Sequence, residues 1–171
     1  SAARDRFLIG LHIQTPSDPE MQRQLMFDTR FHDVDRLIES VRSNALPYRD
    51  VAAIAPVIQS HVQASEALQS YALNLWAAPR HPVDYGVHLE GVDMSQLILA
   101  GASPRGMSMM MRAAKVNAWL EGRAHLLPED LRRVFPETIA HRVFLAPVYE
   151  LRREHLVGEL IDGILRHVAA P

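Results

Sequence analysis

The chain has no cysteine among its 171 residues. That removes disulfides, thiolate zinc sites and cysteine nucleophiles from consideration. Lysine is almost as scarce: Lys115 is the sole lysine, and the remaining Lys/Arg positions are all arginine. An arginine bias suits clamping of phosphate or carboxylate, but it follows more simply from a GC-rich coding sequence. No apolar run is long enough to span a bilayer and no signal peptide opens the chain, so the expected location is cytoplasmic. Net charge is −2, so no global field draws the chain to nucleic acid or a membrane surface.

Self-sufficient catalytic signatures are missing as well. A G-x-x-x-x-G-K-[ST] phosphate loop cannot exist here, because the single lysine follows Ala114. No apolar run ends in a paired Asp-Glu that could hold magnesium, and neither H-E-x-x-H nor G-x-S-x-G occurs. The nine histidines are scattered. His81 and His88 share one Pro/Gly-rich stretch, but neither has a carboxylate partner at convincing ligand spacing, so no metal site is expected.

What the chain does have is enough apolar content, 48%, to build a core, and a length that fits one domain or a small domain plus a piece of another. The sequence predicts a mainly α fold, a helical bundle with a short strand at its beginning. That strand, Phe7 to Ile13, alternates correctly but has no preceding partner. It must pair with a later hairpin or belong to a domain outside this sequence.

Helix starts are legible. Asp18-Pro19-Glu20 opens a helix running to about Phe31. A polar second helix is expected over Asp33 to Ser43, and an alanine-rich one over Arg49 to Val62, kinked or restarted at Pro56. Ser65 to Ala77 places Leu68, Tyr71, Ala72, Leu75 and Trp76 at helical spacing. Residues 79–100 carry Pro79, Pro82, Gly86 and Gly91 and read as a long loop with a possible small hairpin. Next comes a helix over Met107 to Glu121, with Met107, Met110, Met111, Ala114 and Ala118 on one face, ended by Gly122. Such a methionine stripe is core filler more readily than a binding surface. Pro128 begins another helix, and the segment from Val148 to Val168 carries a stripe of Val157, Leu160, Ile161, Ile164, Leu165 and Val168.

One stretch carries chemistry. In Gly101-Ala102-Ser103-Pro104-Arg105-Gly106, Ser103 is a good N-cap and Pro104 suits the first helical position. Arg105 then sits in the first turn, where the helix dipole is positive and a cation is disfavoured by about 0.3–1 kcal/mol. A bound anion would reverse that penalty, since helix N-termini favour phosphate. Pairing with a nearby carboxylate would also relieve it.

Taken together, Gly101 to Gly106, Arg112-Ala113-Ala114-Lys115, Leu120-Glu121-Gly122-Arg123, Pro128-Glu129-Asp130-Leu131 and His141-Arg142 resemble the C-terminal lid of MoxR-type AAA+ ATPases. That family's lid carries G-A-S-P-R-A, an R-A-A-K helix, G-R-D-Y-V-T-P-E-D-V and a closing R-H-R. Asp5-Arg6-Phe7 and Pro16-Ser17-Asp18-Pro19-Glu20 are similar to the D-R-F and P-S-D-P-E at the end of the family's ATPase core, and the ending Ile164 to Pro171 is similar to its short V-P-V-P tail. The departures are Gly106 for alanine, Ala124-His125-Leu126-Leu127 where a threonine N-cap is usual, Val134-Phe135-Pro136 interrupting a helix, and a longer connector over 80–97.

The resemblance implies that residues 1–18 are the end of the ATPase core and 19–171 the helical lid. It implies that Arg105 is the sensor-2 arginine meeting the γ-phosphate of ATP, with Ser103 beside it in the ATP-binding segment. Arg6 would be the arginine finger reaching a neighbouring subunit's nucleotide. The implied parent binds ATP and magnesium, forms a homo-oligomeric ring, expected as a hexamer, and remodels or matures an unknown client protein. This chain alone would not hydrolyse ATP. The alternative is a helical adaptor without nucleotide dependence, docking through the Met107/Met110/Met111 face or the 80–97 segment.

Overall fold

The computed structural model describes residues 4–41 and 48–171. Two compact units emerge, residues 1–11 with 56–171, and residues 12–55. The boundary at Pro56 falls inside one helix, Tyr48–His61 (α3), which continues past the proline rather than restarting there.

In the smaller unit, Pro19–Phe27 (α1) is capped by Asp18, whose carboxylate accepts from the Glu20 amide at 3.0 Å. The helix stops at Phe27 because Asp28 ends it and caps a new 3₁₀ turn over Thr29–Phe31. Asp33 caps Val34–Ser40 (α2), and the expected end at Ser43 lies outside the described residues. Neither α1 nor α2 buries a residue, and Met26, Phe27, Val34 and Ile38 remain exposed.

The larger unit holds the core. Its elements are Glu66–Ala77 (α4), Met94–Leu97 (α5), Ile98–Ala100 (β1), Pro104–Leu120 (α6), Pro128–Ile139 (α7), Phe144–Leu145 (β2) and Arg153–His167 (α8). The helices pack where the sequence periodicity puts their apolar stripes. Leu68, Tyr71, Ala72 and Leu75 of α4 are buried, with Met110, Ala114 and Ala118 of α6 and Leu156, Leu160, Ile161 and Ile164 of α8. The inner methionine stripe is therefore core, and Met107 and Met111 flank it half-buried. α6 and α7 form the most extensive pair. Leu131, Phe135 and Ile139 of α7 are fully buried at i, i+4 and i+8, and this packing carries the helix through Pro136, where the sequence predicts a break.

Local capping explains the junctions. α6 ends at Gly122, whose φ of +74° suits glycine, with the Arg123 amide returning to the Ala118 carbonyl at 2.9 Å. Leu127, standing where a threonine cap is missing, has no side-chain acceptor for the start of α7. Asp130, three residues in, supplies the bond instead: its carboxylate accepts the Leu127 amide at 2.8 Å. Lys115 donates to the Gln59 carbonyl at 2.7 Å, satisfying an end of α3.

Two expectations are corrected. Phe7 to Ile13 forms no strand. Within the described residues no edge pairs with it; instead its carbonyls at Phe7 and Leu8 accept from Arg142, and the Gly10 amide donates to the Glu137 carbonyl at 2.7 Å. The 80–100 stretch forms no internal hairpin. It contains a 3₁₀ turn over Pro82–Tyr85, then α5, then β1, which pairs antiparallel with β2, Ile98 opposite Leu145 and Ala100 opposite Phe144. Val87 and Leu97 are buried, so this stretch is packed rather than free. Val87 fits because α8 presents Gly163: a Cβ there would lie 2.8 Å from Val87 Cγ1. The mainly α fold with one small sheet stands as expected.

The β1–β2 pairing matters most for function. β1 leads through Gly101–Ser103 into α6, and β2 follows directly on Arg142–Val143. The pairing therefore brings the start of α6 against the 3₁₀ turn Ala140–Arg142 that closes α7.

Candidate functional site

The start of α6 is built as its residue types dictate. Ser103, in extended backbone conformation, accepts the Gly106 amide at 3.3 Å, and Pro104 occupies the first helical position. The linker before it is pinned from α4: Trp76 Nε1 donates to the carbonyls of Ala102 at 2.9 Å and Ser103 at 3.2 Å. Arg80 follows the same route, its guanidinium 3.4 Å from the Ala102 carbonyl and 5.8 Å from the Trp76 ring centre.

Arg105 is exposed on this rigid start and makes no hydrogen bond or ion pair within the described residues. The nearby-carboxylate explanation for it is thus not realised here. An unpaired guanidinium at the positive end of a 17-residue helix is a fit for an anionic group.

Ser103 does more than cap. Its hydroxyl donates to Asp5 Oδ2 at 2.8 Å, so the 3₁₀ turn Arg4–Arg6 docks on the same helix start. Arg6, exposed, thus rides on a turn hydrogen-bonded to the segment that carries Arg105. Ser103 and Arg6 are brought into one constellation with Arg105, whereas His81 and His88 are separately exposed. Among the described residues no group of three or more His, Cys, Asp or Glu converges where a metal ion could sit.

Asp5 has a second partner that sequence reasoning left without a role. Arg142 is fully buried, and its Nε donates to Asp5 Oδ1 at 3.1 Å. Its Nη2 donates to the carbonyls of Asp5, at 2.9 Å, and Phe7, and its Nη1 to those of Thr138 and, at 3.4 Å, Leu8. Burial pushes the Arg142 pKa down and Asp5 opposes the shift. Beside it, His141 Nε2 lies 3.3 Å from the Phe7 carbonyl. Burial and then the Arg142 charge push the imidazole below its ordinary pKa, against the carbonyls of Phe7 and Glu137 and the Asp5 charge. Only the H-R pair in the motif pattern hinted at these two residues.

Gly106 is explained by the same arginine. A Cβ at this position would lie 2.7 Å from Arg142 Cδ and 3.0 Å from Nε. The departure from alanine makes room for the buried guanidinium stem.

Residues 93–161, from just before α5 into α8, match the AAA lid domain. The whole chain is 48% identical to Protein MoxR of Methylorubrum extorquens and 46% identical to Protein MoxR of Paracoccus denitrificans, covering 50% of each. Chaperone MoxR1 of Mycobacterium tuberculosis is 28% identical over 99% of the chain, which covers 42% of it. A solved structure of a candidate ATPase from Cytophaga hutchinsonii superposes with a TM-score of 0.69 at 28% identity, over 99% of this chain and 48% of that one. The chain spans about half the length of the curated relatives it matches. Among the described residues, no helix is long and apolar enough to cross a membrane.

Proposed function

We propose that the chain, whose residues 93–161 match the AAA lid domain and which is 46–48% identical to two MoxR proteins, is the lid-bearing, nucleotide-sensing portion of a MoxR-type AAA+ ATPase whose phosphate loop lies outside these residues. The observation that carries this reading is Arg105, exposed and unpaired within the described residues at the start of α6. In this reading residues 1–18 end the ATPase core and 19–171 form the lid.

ATP bound by the core with Mg²⁺ supplies the phosphoryl group whose transfer to water drives the cycle. Arg105, as sensor 2, meets the terminal phosphate and stabilises negative charge there without reorganising, because Ser103, Pro104 and Trp76 have already fixed its helix turn. Ser103 shapes the ATP-binding end by capping, its proton being given to Asp5. Arg6 acts as the arginine finger toward a neighbouring subunit, in a ring expected to be hexameric. A ring that couples hydrolysis to movement of its lids fits remodelling or maturation of a client protein, a reading in keeping with the name chaperone carried by the Mycobacterium tuberculosis relative.

The test is twofold. The 171-residue chain alone should show no ATP turnover, and turnover abolished by Arg105→Ala would contradict the division of labour. In the full-length protein, Arg6→Ala and Arg105→Ala should each lower turnover while melting stays unchanged. Undiminished hydrolysis in both variants would remove the nucleotide-sensing role.

A further inference from the structure

We propose that Arg142 is a positioning residue that couples Arg6 to Arg105, making the finger segment and the sensor-2 helix start move as one piece. The proposal rests on the roles given to those two arginines above.

Arg6 is held through its backbone. Its backbone neighbours on both sides are gripped by a single guanidinium: the Asp5 and Phe7 carbonyls both accept from Arg142 Nη2, and Leu8 follows at Nη1. Asp5 is held again through its side chain, with one carboxylate oxygen on Arg142 Nε and the other on Ser103 Oγ. The Asp5 carboxylate is therefore a bridge between the residue that closes α7 and the residue that caps α6. His141 adds a contact to the Phe7 carbonyl from the same turn.

The consequence is mechanical. Arg142 is fully buried, its stem runs against Gly106 in the first turn of α6, and a Cβ at Gly106 would already collide with it. The guanidinium has no room to let the Arg4–Arg6 turn drift while α6 stays put. A pull on Arg105 by a terminal phosphate is transmitted through Ser103 and Asp5 to the backbone on either side of Arg6. The arrangement links the nucleotide read by one subunit's lid to the group that same subunit offers its neighbour. Buried, charge-assisted bonds of this kind are suited to hold one geometry rather than several.

The experiment is a double-mutant cycle on ATP hydrolysis in the full-length protein. Asp5→Asn weakens the bridge while keeping the side chain's size, and Arg142→Lys keeps a buried cation but removes the fork. Melting is recorded for each, so that Asp5→Asn serves if Arg142→Lys fails to fold. Each is expected to lower kcat between about tenfold and a hundredfold with KM for ATP little changed, the scale of a misplaced catalytic group. In an Arg6→Ala background the same substitutions should cost nothing further. Equal losses with and without Arg6 would overturn the proposal, because a merely structural residue lowers both alike. If Arg6→Ala alone leaves turnover unchanged, the finger reading fails and the coupling falls with it, a result distinguishable from additivity.

Discussion

Ser103 Oγ lies 2.8 Å from Asp5 Oδ2 across 98 residues of chain, and this one bond fastens the Arg4–Arg6 turn to the first turn of α6. It exists because the same serine, as N-cap, must face outward from the helix end with its hydroxyl proton free to be given away. Capping of α6 and docking of the Arg4–Arg6 turn thus share one side chain.

Gly106→Ala separates propensity from packing. In an open helix, alanine would stabilise by about 1 kcal/mol. Here the added Cβ would press on the Arg142 stem, which cannot retreat without releasing its carbonyl acceptors. The variant is expected to melt at a lower temperature than the parent chain. A higher melting temperature would show that Arg142 can shift freely.

Asp130 governs the α6–α7 turn. It is 1% exposed and takes Arg123 in a bidentate pair at 2.6 Å on each oxygen, with Asn117 at 2.7 Å and the Leu127 amide. Burial alone would raise its pKa, but these donors outweigh burial and hold it below the ordinary carboxylate value. A depressed folded pKa means the stabilisation is complete above the unfolded value of about 3.9 and fades as pH falls through the folded one. Asp130→Asn should lower stability at pH 7 by about 1.5–3 kcal/mol, the scale of hydrogen bonds to a charged acceptor, because the Arg123 left behind is partly exposed and can be solvated. The difference between variant and parent should narrow in acid melts below about pH 4. A difference independent of pH would show that the charge is not the cause.

His141 predicts a second, higher window. Its folded pKa is depressed by burial and by Arg142, so the stabilisation is present above the unfolded value of about 6.5 and is lost as pH falls through the folded value. Thermal melts between pH 8 and pH 5 (about one and a half units either side of that value) should show stability falling on acidification. His141→Gln should flatten that slope. An NMR titration finding the imidazole above the unfolded value would reverse the sign.

Much of the helical framework could be read directly because it is local. Asp18, Ser65 and Ser103 cap within three residues, Gly122 stops α6, and the stripe from Val157 to Ile164 repeats at helical spacing. Arg105 was legible for the same reason, a cation in a first turn. Phe7 to Ile13 misled because alternation records what a strand could do, not whether a partner edge exists. Pro136 misled in the opposite direction, since core packing on both sides of it outweighs one lost amide. Asp5 and Arg142, 137 residues apart, carry no periodicity. A buried arginine has no local signature, and only the β1–β2 pairing reveals why it faces the start of α6.

The most direct measurement is steady-state ATP hydrolysis by the full-length protein bearing Arg105→Ala, read beside its melting curve. A folded variant with kcat reduced about a hundredfold is the expected result, the scale of losing one preorganised donor to developing charge. Turnover equal to that of the unmodified protein in a folded variant would contradict the assignment of Arg105 to the nucleotide.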